Sequence, residues 1–255
     1  MMDYDLRPFR DGLEELGLSA DDNQTDQFLR FYEMLTETNK VMNLTAITDF
    51  QGVVTKHFLD SLSLVKALPG SDEKASENAL PGFAGKKLID IGTGAGFPGI
   101  PLKIMFPELE VTLLDSLNKR VEFLNDVIAE LRLSSIQAVH SRAEDAGRNS
   151  GYREQYDICV SRAVADLAVL AEYCLPFVKR GGFFIPYKTS GADRELENAR
   201  AAIAELGGSA VKTVHFVLPG GENGRSLIII EKTGDTPGKY PRKAGKPARK
   251  PLGKQ

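Results

Sequence analysis

The chain's 255 residues suffice for one full α/β domain with an extension, or for two small domains. Its 42% hydrophobic and 26% charged residues are those of an ordinary folded protein, and no apolar run approaches the roughly twenty residues that span a bilayer. The net charge of −3 is uneven: residues 236–255 carry seven basic side chains and no acid, leaving −10 on the remainder, an asymmetry that points to an anionic partner.

The first residues lack a signal-peptide pattern, so the reading expects a cytoplasmic protein without a membrane segment. Cys159 and Cys174 sit in apolar segments and read as buried free thiols of a reducing compartment. The histidines, at 57, 140 and 215, are scattered singly, so no metal site is expected. No feature announces a stable protein partner.

In chain order, residues 1–70 read as a helical extension. Phe28, Phe31, Tyr32 and Leu35 share one helical face, and Val54, Phe58, Leu62 and Val65 another. Residues 43–48 between them are too short and polar for a helix and read as an ordered connection. On the second face, His57 and Asp60 stand one turn apart; a cap or packing role suits them better than catalysis, and with Ser61 they do not make a hydrolytic triad. Residues 71–86 turn polar and small, a linker.

From residue 87 to 235 the elements alternate. Strand 87–91 leads to helix 99–106, strand 110–115 to helix 118–131, and strand 136–140 follows. Strand 156–161 precedes a helix over 167–178, whose end is read at Lys179-Arg180-Gly181-Gly182, cations and glycine where a helix terminus favours them. Strand 183–187, helix 193–206 and two strands, 211–217 and 226–232, complete the domain. The last two are joined by a glycine-rich turn at 220–224 without a helix, so the expected fold is α/β, a mostly parallel seven-stranded Rossmann-like sheet with an antiparallel C-terminal hairpin.

Strand 87–91 runs into Gly92-Thr93-Gly94-Ala95-Gly96-Phe97-Pro98-Gly99, where glycines allow positive φ and close backbone approach to a ligand. Dinucleotide sites share this layout, with pyrophosphate on the helix N-terminus. Asp90, two residues before Gly92, would repel a pyrophosphate but suits the sulfonium and ammonium of S-adenosyl-L-methionine. Asp115, at the end of the next strand, stands where an acid accepts ribose hydroxyls, which both ligand classes carry. An NAD-dependent oxidoreductase is therefore the rival fold reading, disfavoured by Asp90 and the terminal hairpin. Gly94 and Gly96 complete the loop.

Ligands in such sheets bind beyond the carboxyl ends of the strands. Arg142-Ala143-Glu144-Asp145 follows strand 136–140 and offers either an adenine-reading edge or a charged turn. Arg162, after strand 156–161, faces the switch point; donor carboxylate, acceptor phosphate or base, and a structural salt bridge all remain open for it. The tail, 236–255, is proline-rich and too polar to pack alone. It either binds phosphates through charge or is merely solvated, and charge alone would leave donor binding untouched by its removal.

Asn43-Leu44-Thr45, His57-Phe58-Leu59-Asp60-Ser61, the glycine loop through Pro101, Leu114-Asp115-Ser116, Lys119-Arg120, Ser161-Arg162-Ala163 and Tyr240-Pro241-Arg242 together resemble the bacterial 16S rRNA (guanine-N7) methyltransferase family, formerly glucose-inhibited division protein B. The resemblance runs from about residue 25 to Leu252. It implies a class I S-adenosylmethionine-dependent methyltransferase acting on a guanine in the 530 loop of 16S rRNA, guanine 527, presented as rRNA, subunit or pre-subunit. It also implies donor contacts at Gly92, Phe97, Ala143, Glu144 and Arg162, with Arg162 in a positioning role. RNA-binding candidates are Lys119, Arg120, Arg242, Lys243, Lys246, Arg249 and Lys250. Guanine N7 has an in-plane lone pair and no proton, so no general base is expected. A methyltransferase for another acceptor, and a non-catalytic S-adenosylmethionine-binding module, are the remaining alternatives.

Overall fold

The computed structural model describes residues 4–67, 82–162, 165–189, 191–221 and 224–253. Helix α1 (Arg7–Glu15) and α2 (Asp22–Asn39) lead the chain. Asp21 starts α2 through a capping box, its carboxylate accepting from Gln24 N while Gln24 returns a bond to Asp21 N. The same Gln24 amide donates to the Ile104 and Met105 carbonyls, fastening α2 to the C-terminal end of α5 (Gly99–Met105). The second helical face is built as α3 (Phe50–Val53), a π-turn (Val54–Leu59), α4 (Asp60–Leu62) and a 3₁₀ turn (Ser63–Ala67).

Seven strands form one sheet: β1 (Lys87–Ile91), β2 (Glu110–Asp115), β3 (Ile136–His140), β4 (Tyr156–Ser161), β5 (Val178–Lys188), β6 (Gly208–Val217) and β7 (Gly224–Lys232). Their order is β3-β2-β1-β4-β5-β7-β6, and only the pairings of β7 are antiparallel. The expected terminal hairpin is present, with β7 inserted between β5 and β6. Central strands such as β1 and β4 are buried along almost their whole length because helices cover both faces. The remaining helices are α6 (Asn118–Glu130), α7 (Ala143–Ala146), α8 (Leu167–Cys174), α9 (Ala192–Glu205) and α10 (Lys246–Arg249).

The core lies in two layers, one on each face of the sheet. One joins Phe9, Phe28, Phe31 and Phe58 of the N-terminal helices to Phe97, Leu113 and Ile158, so those helices share the sheet's own core. The other joins α8 and α9 to β4, β5 and β7 and includes Tyr240 from the tail.

Two expectations need correction. The helix over 167–178 ends at Cys174, passes through a 3₁₀ turn (Leu175–Phe177), and β5 begins at Val178. Pro176 is the cause, having no amide hydrogen and crowding the preceding turn. Lys179-Arg180-Gly181-Gly182 therefore lies in a strand, where a Cβ on Gly182 would meet the Asp157 carbonyl at 2.6 Å. The tail is packed rather than merely solvated: Tyr240, Pro241 and Pro247 are buried. Most of the expected linker, 71–81, lies outside the described residues. Among the described residues no helix is long and apolar enough to cross a membrane.

Candidate active site

The glycine loop leaves β1 with Gly92, Gly94 and Gly96 at φ of 69°, 62° and 97°, all in the left-handed region. Gly92 N and Thr93 N donate to the Leu114 carbonyl, stitching the loop to the end of β2. Asp90 is fully buried, and its Oδ2 accepts from Thr93 Oγ1 at 2.7 Å and Gly99 N at 2.9 Å. Its Oδ1 is buried with no protein partner. Burial pushes the Asp90 carboxyl up to about 6 against the opposing bonds from Thr93 and Gly99. Since that value lies above the ordinary one of 3.8, ionising Asp90 inside the fold costs stability, a loss absent below about pH 4 and complete above about pH 6. A half-satisfied buried carboxylate is costly alone and suits a cationic or hydrogen-donating ligand group.

Asp115 holds the loop from the other side. Its Oδ2 accepts from Gly94 N at 2.9 Å and lies 3.4 Å from Arg120 Nη1, while Oδ1 accepts from Leu117 N. A carboxylate has about four acceptor positions, so Asp115 keeps capacity for one further donor. Gly94 opens on space, with nothing within 4 Å of a would-be Cβ, whereas a Cβ on Gly99 would meet Leu113 Cδ2 at 2.2 Å. The first glycine leaves a cradle and the second lets α5 close on the sheet.

Across the switch point between β1 and β4, Arg162 gathers residues from the π-turn, α4 and the glycine loop. Its Nη1 donates to the Lys56 carbonyl at 3.0 Å and to Asp60 Oδ2 at 2.9 Å, and Nη2 stands 3.2 Å from His57 Nδ1. The π-turn places Lys56 and His57 here, and such turns recur at functional sites. His57 Nδ1 also lies 3.0 Å from the Lys56 carbonyl, and Nε2 lies 2.8 Å from Thr45 Oγ1. Burial, and then the Arg162 charge, lower His57 to about 4, so it is neutral at neutral pH. Its ring stacks on Phe97 at 4.6 Å, and the Arg162 guanidinium stands 5.1 Å from the same ring. Phe97 is nearly covered, its ring committed to this stack and to Phe31.

Asp60 Oδ1 accepts from Arg225 Nε at 3.1 Å, so this buried carboxylate is shared between two arginines. Asp60, Arg162, Tyr187, Lys188 and Arg225 line a cleft of about 590 Å³ beyond the ends of β4 and β5. A further cleft, about 440 Å³ beside Lys87, Thr112, Gln137 and Tyr156, lies at the amino ends of the strands, where this sheet architecture does not place its ligands.

Glu144 is buried in α7, its Oε1 accepting from Gly245 N at 3.0 Å, and Ala143 beside it is half-buried. Of the expected RNA contacts, Lys119, Lys243, Lys246, Arg249 and Lys250 are exposed. Arg120 is partly committed to Asp115. Arg242 is corrected: its guanidinium and backbone N–H are spent on Glu172, a carboxylate with no exposed surface. His57 packs on Phe97, and it and Asp60 also lie beside Arg162.

Sequence reasoning missed Thr45, Leu117, Tyr187 and Arg225. Leu117 is 52% exposed at the lip beside Asp115. Arg225 stands at the amino end of its strand, and because β7 runs antiparallel to β5 that end lies at the site.

Residues 24–223 match the family described as GidB, rRNA small subunit methyltransferase G. A ribosomal RNA small subunit methyltransferase G of Alkaliphilus metalliredigens is 51% identical over 95% of this chain and 97% of its own. One of Lachnoclostridium phytofermentans is 50% identical over 97% and 98%. Among solved structures, M. jannaschii TYW2 in complex with AdoMet superposes at a TM-score of 0.49 with 14% identity, covering 60% of this chain and 72% of the other.

Proposed function

Because the chain belongs to the rRNA small subunit methyltransferase G family, we propose that this site transfers a methyl group from S-adenosyl-L-methionine to N7 of a guanine in the 530 loop of 16S rRNA, guanine 527 by resemblance. One observation carries the reading. An open glycine cradle over a half-satisfied buried carboxylate adjoins a cleft whose two arginines, both held by Asp60, offer donors.

The cofactor supplies an electrophilic methyl group on a sulfonium. Asp90 Oδ1 and the cradle at Gly94 would receive its positively charged portion, and the spare acceptor position of Asp115 its ribose. Leu117 offers an exposed apolar surface after β2, and Ala143 and Glu144 follow β3, the strand paired with it. On the acceptor side Arg162 and Arg225, fixed by Asp60, hold donors toward a base or its phosphate. Guanine N7 needs alignment rather than deprotonation, and holding two reactants in line contributes several kcal/mol, roughly up to 7–11. The exposed cations Lys119, Lys243, Lys246, Arg249 and Lys250 support phosphate contacts around the cleft.

Labelled S-adenosylmethionine, the purified protein and small subunits from cells lacking this enzyme test the reading. The expected result is label at one guanine, released by chemistry selective for N7-methylguanine. Donor binding with no transfer to subunits or free 16S rRNA overturns the acceptor assignment.

The raised Asp90 carboxyl gives donor binding a pH signature. A cationic group that binds only ionised Asp90 loses affinity about tenfold per pH unit below about pH 6 and levels off above it. His57, already neutral above about pH 4, leaves this window clear. Calorimetry from pH 5 to 8 should show the rise, and Asp90→Asn should flatten it. A level profile in the native protein removes Asp90 from the donor contact.

A further inference from the structure

The C-terminal segment crosses the face of the sheet that carries α7, and its contacts converge there. α7 has four residues, too few to hold a helical turn unaided. Three contacts from the tail hold it. Gly245 N donates to Glu144 Oε1 at 3.0 Å. Arg153 Nη1 donates at 2.9 Å both to the Gly147 carbonyl at the end of α7 and to the Tyr240 carbonyl. Pro241 lies so near Gly147 that a Cβ there would meet Pro241 Cγ at 3.2 Å.

The strap is itself pinned. Arg242 donates to Glu172 from its backbone N at 2.7 Å, from Nε at 2.9 and 3.0 Å, and from Nη2 at 2.5 Å. Glu172 stands alone as an acid in the apolar helix α8 and is fully buried. The Tyr240 hydroxyl donates to Glu205 on α9, and Pro247 is buried. A forked, charge-assisted pair of this kind fixes orientation as well as position.

We propose that this strap, locked by Arg242 on Glu172, is a positioning element of the donor site: it holds α7 so that Glu144 faces the bound cofactor. The inference rests on the reading of Ala143 and Glu144 as donor contacts. The tail's cations then divide by task. Arg242 acts inward on donor affinity, while Lys243, Lys246, Arg249 and Lys250 remain exposed on the same strap. Loosening the strap weakens donor binding even in the absence of RNA, which charge alone would not do.

The test measures S-adenosylhomocysteine binding by calorimetry without RNA, alongside donor KM and kcat on small subunits. Arg242→Gln is expected to raise the donor Kd and KM about tenfold, the loss of charge-assisted bonds, with kcat at saturating donor kept within about threefold. Arg242→Lys, keeping the charge but not the fork, should recover part of the affinity. Glu144→Gln is the control for the site. If it weakens binding and Arg242→Gln does not, the strap inference is overturned and the site reading stands. If neither variant changes the Kd, the site reading fails and takes the inference with it. Should Arg242→Gln not fold, Tyr240→Phe decides: it frees the strap from Glu205 without stranding a buried charge, and an unchanged donor Kd overturns the inference.

Discussion

Gly94→Val is expected to abolish donor binding while the protein stays folded. The residue sits at φ of 62°, where a β-branched side chain is an outlier and strain of roughly 1–3 kcal/mol follows. Nothing in the protein lies within 4 Å of the added Cβ, so the fold itself meets no clash. The side chain instead occupies the cradle above Asp90 and shifts the Gly94 amide off Asp115 Oδ2. A donor Kd raised at least about a hundredfold and a Tm lowered by less than about 10 °C are expected. Gly94→Ala separates strain from bulk and should fall between. Gly99→Val is the contrast: its Cβ meets Leu113 Cδ2 at 2.2 Å and Asp90 Oδ2 at 3.1 Å, so α5 must move and folding suffers first. A folded Gly94→Val protein binding donor within threefold of the native one would place the cofactor elsewhere.

The strand–glycine–helix unit was legible because its physics is local. Apolar β-branched residues make β1, glycines make the turn, and two strand-end acids flank it. Alternation of elements was equally plain, and so was the terminal hairpin. Much of the acceptor side was not legible, since it is assembled from distant segments. Periodicity shows that Phe31 and Phe58 face inward, but not that they meet Phe97 of the glycine loop at 5.2 and 6.2 Å. It cannot bring Thr45, His57, Asp60 and Arg225 to Arg162. The tail shows the limit of composition. Seven cations among prolines suggest a solvated segment, yet Tyr240, Pro241 and Pro247 pack and Arg242 pairs. The one available signal was Glu172, a solitary acid in an apolar helix, which had to find a cation somewhere.

Arg162→Lys should reduce methyl transfer about a hundredfold or more, an effect on turnover larger than on folding. Four contacts meet on the guanidinium: the Lys56 carbonyl, Asp60, His57 Nδ1 and the face of Phe97. A planar fork serves them together, whereas an ammonium on a flexible stem cannot reproduce the geometry. Asp60 keeps Arg225, so the carboxylate is not stranded and the fold survives. What is lost is alignment in the cleft, where displacement of about 1 Å costs on the order of a hundredfold in rate. Arg162→Met goes further by removing the charge that, after burial, holds His57 down at about 4. His57 should then titrate closer to its ordinary 6.5, read directly from its ring proton shifts. The sign matters for rate: a histidine that protonates between pH 4 and 6 puts a new cation beside the cleft as pH falls. Turnover of Arg162→Met should therefore show an added dependence on pH below about 6 that the native protein lacks. Single-turnover transfer at saturating donor separates this from weakened donor binding. Native-like rates in both variants would reduce Arg162 to a strut between the helical extension and the sheet. A rate loss in Arg162→Lys with unchanged donor Kd would assign its forked contacts to alignment of the acceptor.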